Sequence, residues 1–105
     1  MKRTILLMSG SLRAQSINTS ALRTVAQLCP PDWTAVLYDG TGQLPHFDTD
    51  LEAAGLPETV EHLRAQISDA AAVLICTPEY AGSLPGSFKN LLDWTVGGME
   101  TVDKP

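Results

Sequence analysis

Apolar residues fall along the chain in two kinds of block. Short unbroken runs stand at 3–9 (RTILLMS), 33–38 (WTAVLY) and 71–77 (AAVLICT), each bounded by glycine, proline or polar residues. Runs of this length read as strands, the first and third buried on both faces. The second is rich in β-branched and aromatic residues, which favour a pleated surface. Between the runs, apolar residues recur at helical spacing: Leu22, Val25, Ala26 and Cys29 within 17–29, and Val60, Leu63, Ile67 and Ala70 within 58–70. Leu84, Phe88, Leu91 and Leu92 repeat the pattern around and beyond Pro85. Pro30 and Pro31 stop the first helix, Pro57 opens the second, and Gly97 and Gly98 end the third. Residues 39–57 carry Gly40, Gly42, Pro45, Gly55 and Pro57 and read as one long loop. It is longer than a connection needs, and long loops are often functional.

The order strand–helix–strand–helix–strand–helix predicts an α/β protein, a doubly wound parallel sheet with helices on both faces and right-handed crossovers. Ligands of such sheets bind outside the carboxyl ends of the strands, where the strand order reverses. Two loops of unusual composition leave carboxyl strand ends, at 9–18 and 77–87, and are expected to be neighbours in space.

Composition narrows the classes. A chain of 105 residues suits one domain and buries roughly 65% of its unfolded surface. Seven Lys and Arg against twelve Asp and Glu give a net charge of −5. Nucleic acid is therefore not expected as a partner, because neutralising phosphates needs a basic face. Any anion site must be local. The longest apolar stretch, near 70–76, is far too short to span a bilayer, so no membrane partner is expected. The basic start is followed by only four apolar residues, Ile5 to Met8, which suit a strand better than a signal peptide. Cys29 and Cys76 form no CxxC pair and read as two reduced cysteines of a cytoplasmic protein, a single disulfide being the alternative. His46 and His62 are isolated, and the short acidic stretch 46–50 (HFDTD) is a solvated loop rather than a metal site. No nucleophile–base pair is present, so no catalytic side chain is assigned.

The loop SGSLRAQSIN, from Ser9 to Asn18, gathers Ser9, Ser11, Arg13, Ser16 and Asn18 between a strand and a helix start. A helix N-terminus offers free N–H groups and about half a positive charge. Hydroxyls and a guanidinium around it suit a phosphate. The loop is neither a Walker A loop nor GxGxxG. The plainer reading is that Ser16 caps the helix and Arg13 is solvated. In the second loop, TPEYAGSLPG, Pro78 and Pro85 fix φ, while Gly82 and Gly86 let the backbone approach a ligand. Such a loop presents N–H groups in a fixed array suited to a planar heterocycle edged with carbonyls and ring nitrogens. Tyr80 packs on such a ligand or serves as a core or interface aromatic.

These two stretches, GSLRAQSIN at 10–18 and TPEYAGSLPGSFKNLLDW at 77–94, resemble the NADPH-dependent FMN reductase family. Its members are flavodoxin-like and include quinone, chromate and azo-dye reductases. The resemblance covers nearly the whole chain, and the motifs match in type, order and place. It implies that Ser11, Arg13, Ser16, Ile17 and Asn18 hold the phosphate of FMN. It implies that Pro78, Glu79, Tyr80, Ala81 and Gly82 line the isoalloxazine edge, chiefly through backbone. The family often has asparagine where this chain has Ala81. Lys89, Asn90 and Asp93 are read as helix positions that support the loop or a subunit interface. The resemblance further implies FMN and NADPH (or NADH) as cofactors, with hydride passing from NADPH to the flavin N5. A small-molecule electron acceptor, a quinone, flavin, azo compound or metal oxyanion, then takes the electrons, and the chain is expected in a homo-oligomer. The alternatives are a flavodoxin-type electron carrier and a non-catalytic remnant of the reductase fold.

A flavodoxin-like sheet has strand order 2-1-3-4-5. This chain supplies three strands, expected in the order 2-1-3, and is expected to be one domain over 1–105, incomplete at its C-terminus. Strand three then stands at an edge despite its apolar content. The expectation is a marginal fold that associates through that edge or aggregates and reduces substrates poorly.

Overall fold

The protein is described by a computed structural model over residues 2–105; Met1, which opens the basic start, lies outside the described residues. Three parallel strands, β1 (Arg3–Ser9), β2 (Trp33–Leu37) and β3 (Ala72–Cys76), form one sheet in the order β2-β1-β3. β1 runs beside β2 from Arg3 opposite Trp33 to Leu7 opposite Leu37, and beside β3 from Ile5 opposite Ala72 to Ser9 opposite Cys76. The expected order 2-1-3 is thus observed, and β1 and β3 end side by side. This is the order of the first three strands of a flavodoxin-like sheet.

Alternation along β1 divides the core. Leu6 and Met8 face a cluster built by Val60, Leu63 and Ile67 of α3 (Glu58–Asp69), by Phe88 and Leu91 of α4 (Gly86–Asp93), and by Trp94. Leu7 turns to the opposite face, where α1 (Ile17–Gln27) lies against all three strands and buries Leu22. β1 is therefore covered on both faces, as its apolar run predicts.

Three boundaries differ from the sequence expectation. α1 ends at Gln27, where the Leu28 N–H turns back to the carbonyls of Thr24 and Val25. Of the predicted stripe only Leu22 is fully buried, and Ala26 is exposed, because a single helix on this face meets the sheet along a narrow line. The long loop is not structureless. It holds a 3-10 turn at Thr41–Gln43 and a short helix, α2 (Thr49–Ala53), capped by Asp48, whose Oδ1 accepts from the Asp50 N–H at 2.8 Å. Five residues are too few to show helical periodicity. Finally, α4 stops at Asp93 rather than at the glycines. The Arg64 guanidinium donates to the Trp94 carbonyl from Nε at 3.0 Å and Nη2 at 2.7 Å, and Thr95 Oγ1 donates to the Leu92 carbonyl at 2.6 Å. These bonds satisfy the helix end without a glycine cap.

Asn90 and Trp94 pin the loop after β2. Asn90 Oδ1 accepts from the Phe47 N–H at 2.7 Å, while Asn90 Nδ2 and Trp94 Nε1 donate to the Pro45 carbonyl at 2.9 and 2.8 Å. Phe47 meets Trp94 edge-on, with centroids 4.9 Å apart. Asn90 supports a loop, as its place in KNLLDW implied, but the loop is 45–47.

The β3 flank is the open one. Leu74 and Ile75 are 37% and 45% exposed. Beside them a cavity of about 240 Å³ is lined by apolar groups from Met8, Ile67, Val73 and Leu91, among others. Residues 104–105 lie against the start of this edge. The Val73 N–H donates to the Pro105 carbonyl at 2.9 Å, and Lys104 Nζ donates to the Ala70 carbonyl.

Candidate functional site

The loop after β1 is organised by its own hydroxyls. Thr19 Oγ1 donates to Ser9 Oγ at 2.8 Å, Ser9 Oγ accepts the Ser11 N–H at 3.2 Å, and Ser11 Oγ accepts the Arg13 N–H at 3.2 Å. Ser16 is 3% exposed and caps α1, its Oγ accepting the Thr19 N–H at 3.3 Å. The cap reading of Ser16 is therefore correct, and its oxygen is already engaged by the helix. What remains unspent is the O–H of Ser11 and of Ser16, which only accept, and much of the backbone. Among the described residues the N–H groups of Ala14, Gln15, Ile17 and Asn18 have no partner. They sit at the positive end of an eleven-residue helix.

Two arginines stand over this loop without a carboxylate partner. The ion pairs among the described residues involve Arg3, Arg64 and Lys89, and neither Arg13 nor Arg23. Arg13 and Arg23 line one cleft of about 210 Å³ with Ser11, Thr19, Tyr38 and Thr41. Tyr38 is 5% exposed. Burial, helped by the neighbouring Asp39 carboxylate, pushes its phenol up from 10.0 to about 12. Arg23 and Thr19 escaped the sequence reading. They lie one helical turn apart on α1, and Thr19 stands three residues after the cap, where a second hydroxyl facing the loop could have been inferred.

The loop after β3 is held by backbone. Tyr80 and Ser83 form an isolated antiparallel bridge, Tyr80 N–H to the Ser83 carbonyl at 2.8 Å and Ser83 N–H to the Tyr80 carbonyl at 3.0 Å. The two residues between them, Ala81 and Gly82, have φ of 52° and 75°. Two successive positive φ values make the turn that asparagine–glycine suits best. Ala81 therefore occupies a left-handed position that a β-carbon disfavours. Glu79, Tyr80, Ala81 and Gly82 are exposed, with Tyr80 at 56%, and the N–H groups of Glu79, Ala81 and Gly82 have no partner among the described residues. Tyr80 is not a core residue of this chain.

The two loops meet at their roots. The Gly10 N–H donates to the Cys76 carbonyl at 2.9 Å, and Cys76 Sγ lies 3.1 Å from Asn18 Oδ1. A β-carbon at Gly10 would stand 1.9 Å from Thr77 Oγ1, so only glycine allows this approach. Cys29 and Cys76 are both free. A groove of about 620 Å³ opens beyond Leu12, between Leu44 and Phe47 on one side and Ser87, Lys89 and Asn90 on the other. His46 lines it, and His62 is exposed on α3.

The donor set suits FMN: free amides and an unpaired guanidinium at a helix N-terminus for a phosphate, and free amides of an exposed turn for the acceptors of a planar ring. The model of the NADPH-dependent FMN reductase family matches residues 3–105. An NAD(P)H-dependent FMN reductase of Pseudomonas aeruginosa is 43% identical over 90 residues, which are 86% of this chain and 48% of that protein. A quinone reductase of Escherichia coli K12 is 37% identical over 94 residues, 89% of this chain and 50% of that protein. The solved structure of FerB, a flavoenzyme NAD(P)H:(acceptor) oxidoreductase of Paracoccus denitrificans, superposes with a TM-score of 0.87 at 37% identity, covering 98% of this chain and 57% of that one. The chain spans about half the length of the curated relatives it matches.

Proposed function

The chain belongs to the NADPH-dependent FMN reductase family, and from that we propose that it is the FMN-holding part of an NAD(P)H-dependent reductase acting on a quinone-type acceptor. Residues 1–105 are on this reading one flavodoxin-like reductase domain short of its C-terminal part. The observation that carries it is the convergence of two donor-rich loops at the carboxyl ends of adjacent strands, joined at Gly10, Cys76 and Asn18. The acceptor class leans on quinone reductase relatives. The two free thiols accord with a cytoplasmic chain. A homo-oligomer suits the open β3 flank.

Bound FMN would supply the redox chemistry, accepting hydride from NADPH or NADH and returning electrons to the acceptor. The chain's own residues bind and orient. Arg13, with the amides of Ile17 and Asn18 and the hydroxyls of Ser11 and Ser16, would hold the phosphate. The N–H groups of Glu79, Ala81 and Gly82 would meet the polar edge of the ring and favour added negative charge there. Pro78 and Tyr80 would bound the ring's position.

Arg13→Ala should weaken FMN by about 1.5–3 kcal/mol, the scale of a hydrogen bond to a charged group. Riboflavin, which lacks the phosphate, should change little, and titration of both ligands measures the difference. Equal losses would reject the role. A second reading, a flavin-binding remnant without turnover, is favoured by the exposed Leu74 and Ile75 at the β3 edge. Oxidation of NADPH with a quinone by the flavin-loaded chain separates the two.

A further inference from the structure

Cys76 ends β3, and Asn18 lies in the first turn of α1. The contact between them joins the two loops through side chains, with Cys76 Sγ 3.1 Å from Asn18 Oδ1. The backbone that carries the sulfur is held in place. The Cys76 carbonyl accepts the Gly10 N–H at 2.9 Å, and Thr77 packs so closely on Gly10 that no β-carbon fits between them. A carboxamide has an acceptor end and a donor end, and a neutral thiol is a donor. The thiol therefore holds the oxygen of Asn18 toward β3 and turns the two N–H bonds of Nδ2 away from the sulfur. Nδ2 has no protein partner among the described residues.

We propose that Cys76 is a positioning residue of the anion site: its thiol fixes the Asn18 carboxamide so that the donor end is free for the phosphate of FMN. The inference rests on the flavin reading above and adds to it a residue that never touches the ligand. Without the thiol proton, the carboxamide is free to turn its oxygen toward the phosphate, where two electron-rich groups oppose each other.

The test compares FMN with riboflavin on the 105-residue chain by quenching of flavin fluorescence. Cys76→Val removes the donor and adds one methyl group; Cys76→Ser keeps a donor. Cys76→Val should weaken FMN about three- to tenfold, the scale of one neutral hydrogen bond, with riboflavin changed less than about twofold. Cys76→Ser should restore most of the FMN affinity. In an Asn18→Ala background, Cys76→Val should cost nothing further. Equal weakening of both ligands, a serine variant as weak as the valine one, or a full valine effect without Asn18 would each overturn the proposal and leave the flavin reading standing. A wild-type chain that binds no FMN overturns both. Circular dichroism checks the fold, and Cys76→Ala replaces the valine variant if that one does not fold.

Discussion

The loops that leave β1 and β3 lie side by side at the carboxyl end of the sheet but are built by opposite means. The first is a web of side chains, in which Ser9, Ser11, Ser16 and Thr19 bond to one another and to the backbone. The second contains almost no side-chain hydrogen bonds; its shape comes from Pro78, Pro85 and a two-residue turn with positive φ at both positions. Buried Tyr38 and Thr41 line the cleft beside the first loop, whereas residues 79–83 stand in solvent. In the first loop the hydroxyl oxygens accept internally, while amides and the O–H hydrogens of Ser11 and Ser16 are left free. In the second only Thr77 is committed, its Oγ1 donating to the Pro78 carbonyl, and again amides are left free. A ligand spanning both would be read mainly by backbone, which tolerates side-chain variation so long as the two turns hold their shape.

The largest expected effect lies where the loops touch. Gly10→Ala places a methyl group 1.9 Å from Thr77 Oγ1 and 3.0 Å from the Thr77 Cα. The loops must then part, at a cost of about 3 kcal/mol, the upper part of the usual overpacking range. Urea unfolding measures it; a loss under about 1 kcal/mol would mean that the loops move apart freely.

A smaller effect concerns Tyr38, which lines the cleft beside the first loop. Folding raises the Tyr38 phenol from 10.0 to about 12, chiefly by burial. The folded chain holds this proton more tightly than the unfolded chain, so the associated stability is fully present below about pH 10 and is lost as pH rises toward 12. The loss approaches 2–3 kcal/mol at about 1.4 kcal/mol per unit. Tyr38→Phe should flatten stability across that window, while Gly10→Ala should leave the slope unchanged. Thermal melts at a series of alkaline pH values test both.

The smallest effect belongs to the second loop. Ala81→Asn or Ala81→Gly should stabilise the chain by about 1 kcal/mol, because either residue accepts φ near 52° better than alanine. The equivalent change in the first loop, Ser16→Ala, should act in the other direction by about 1 kcal/mol through loss of the helix cap. Opposite signs from two loop substitutions would sharpen the contrast between a turn limited by backbone strain and a loop sustained by hydroxyls. Chemical denaturation at one pH suffices.

Much of this was legible in the residues. The apolar run of β1 and the stripe Val60, Leu63, Ile67 specify their elements because burial is written into the positions themselves. By contrast β3, read as buried on both faces, forms as a strand but buries none of its five residues because it lies at the sheet edge. The pairing of Ser16 with α1 was equally readable, since a cap acts on its own helix. The helix over 49–53 was not, since its five residues bury none of their side chains. Nor was the early stop of α4, which depends on Arg64 reaching across from α3.

By itself the sequence determined the order of the three strands and the three longer helices, the two polar loops at strand ends and the local signals that start those helices, because these depend on residues within a few positions of one another. The tertiary structure alone decided that Cys76 meets Asn18, that Gly10 must stay bare against Thr77, that Asn90 serves the loop 45–47, and that Arg13 and Arg23 share a cleft. Those are contacts between residues far apart in the chain or on different elements. They exist only once parallel pairing of β1 with β3 and the coverage of the sheet by α1 and α3 have fixed where each loop begins.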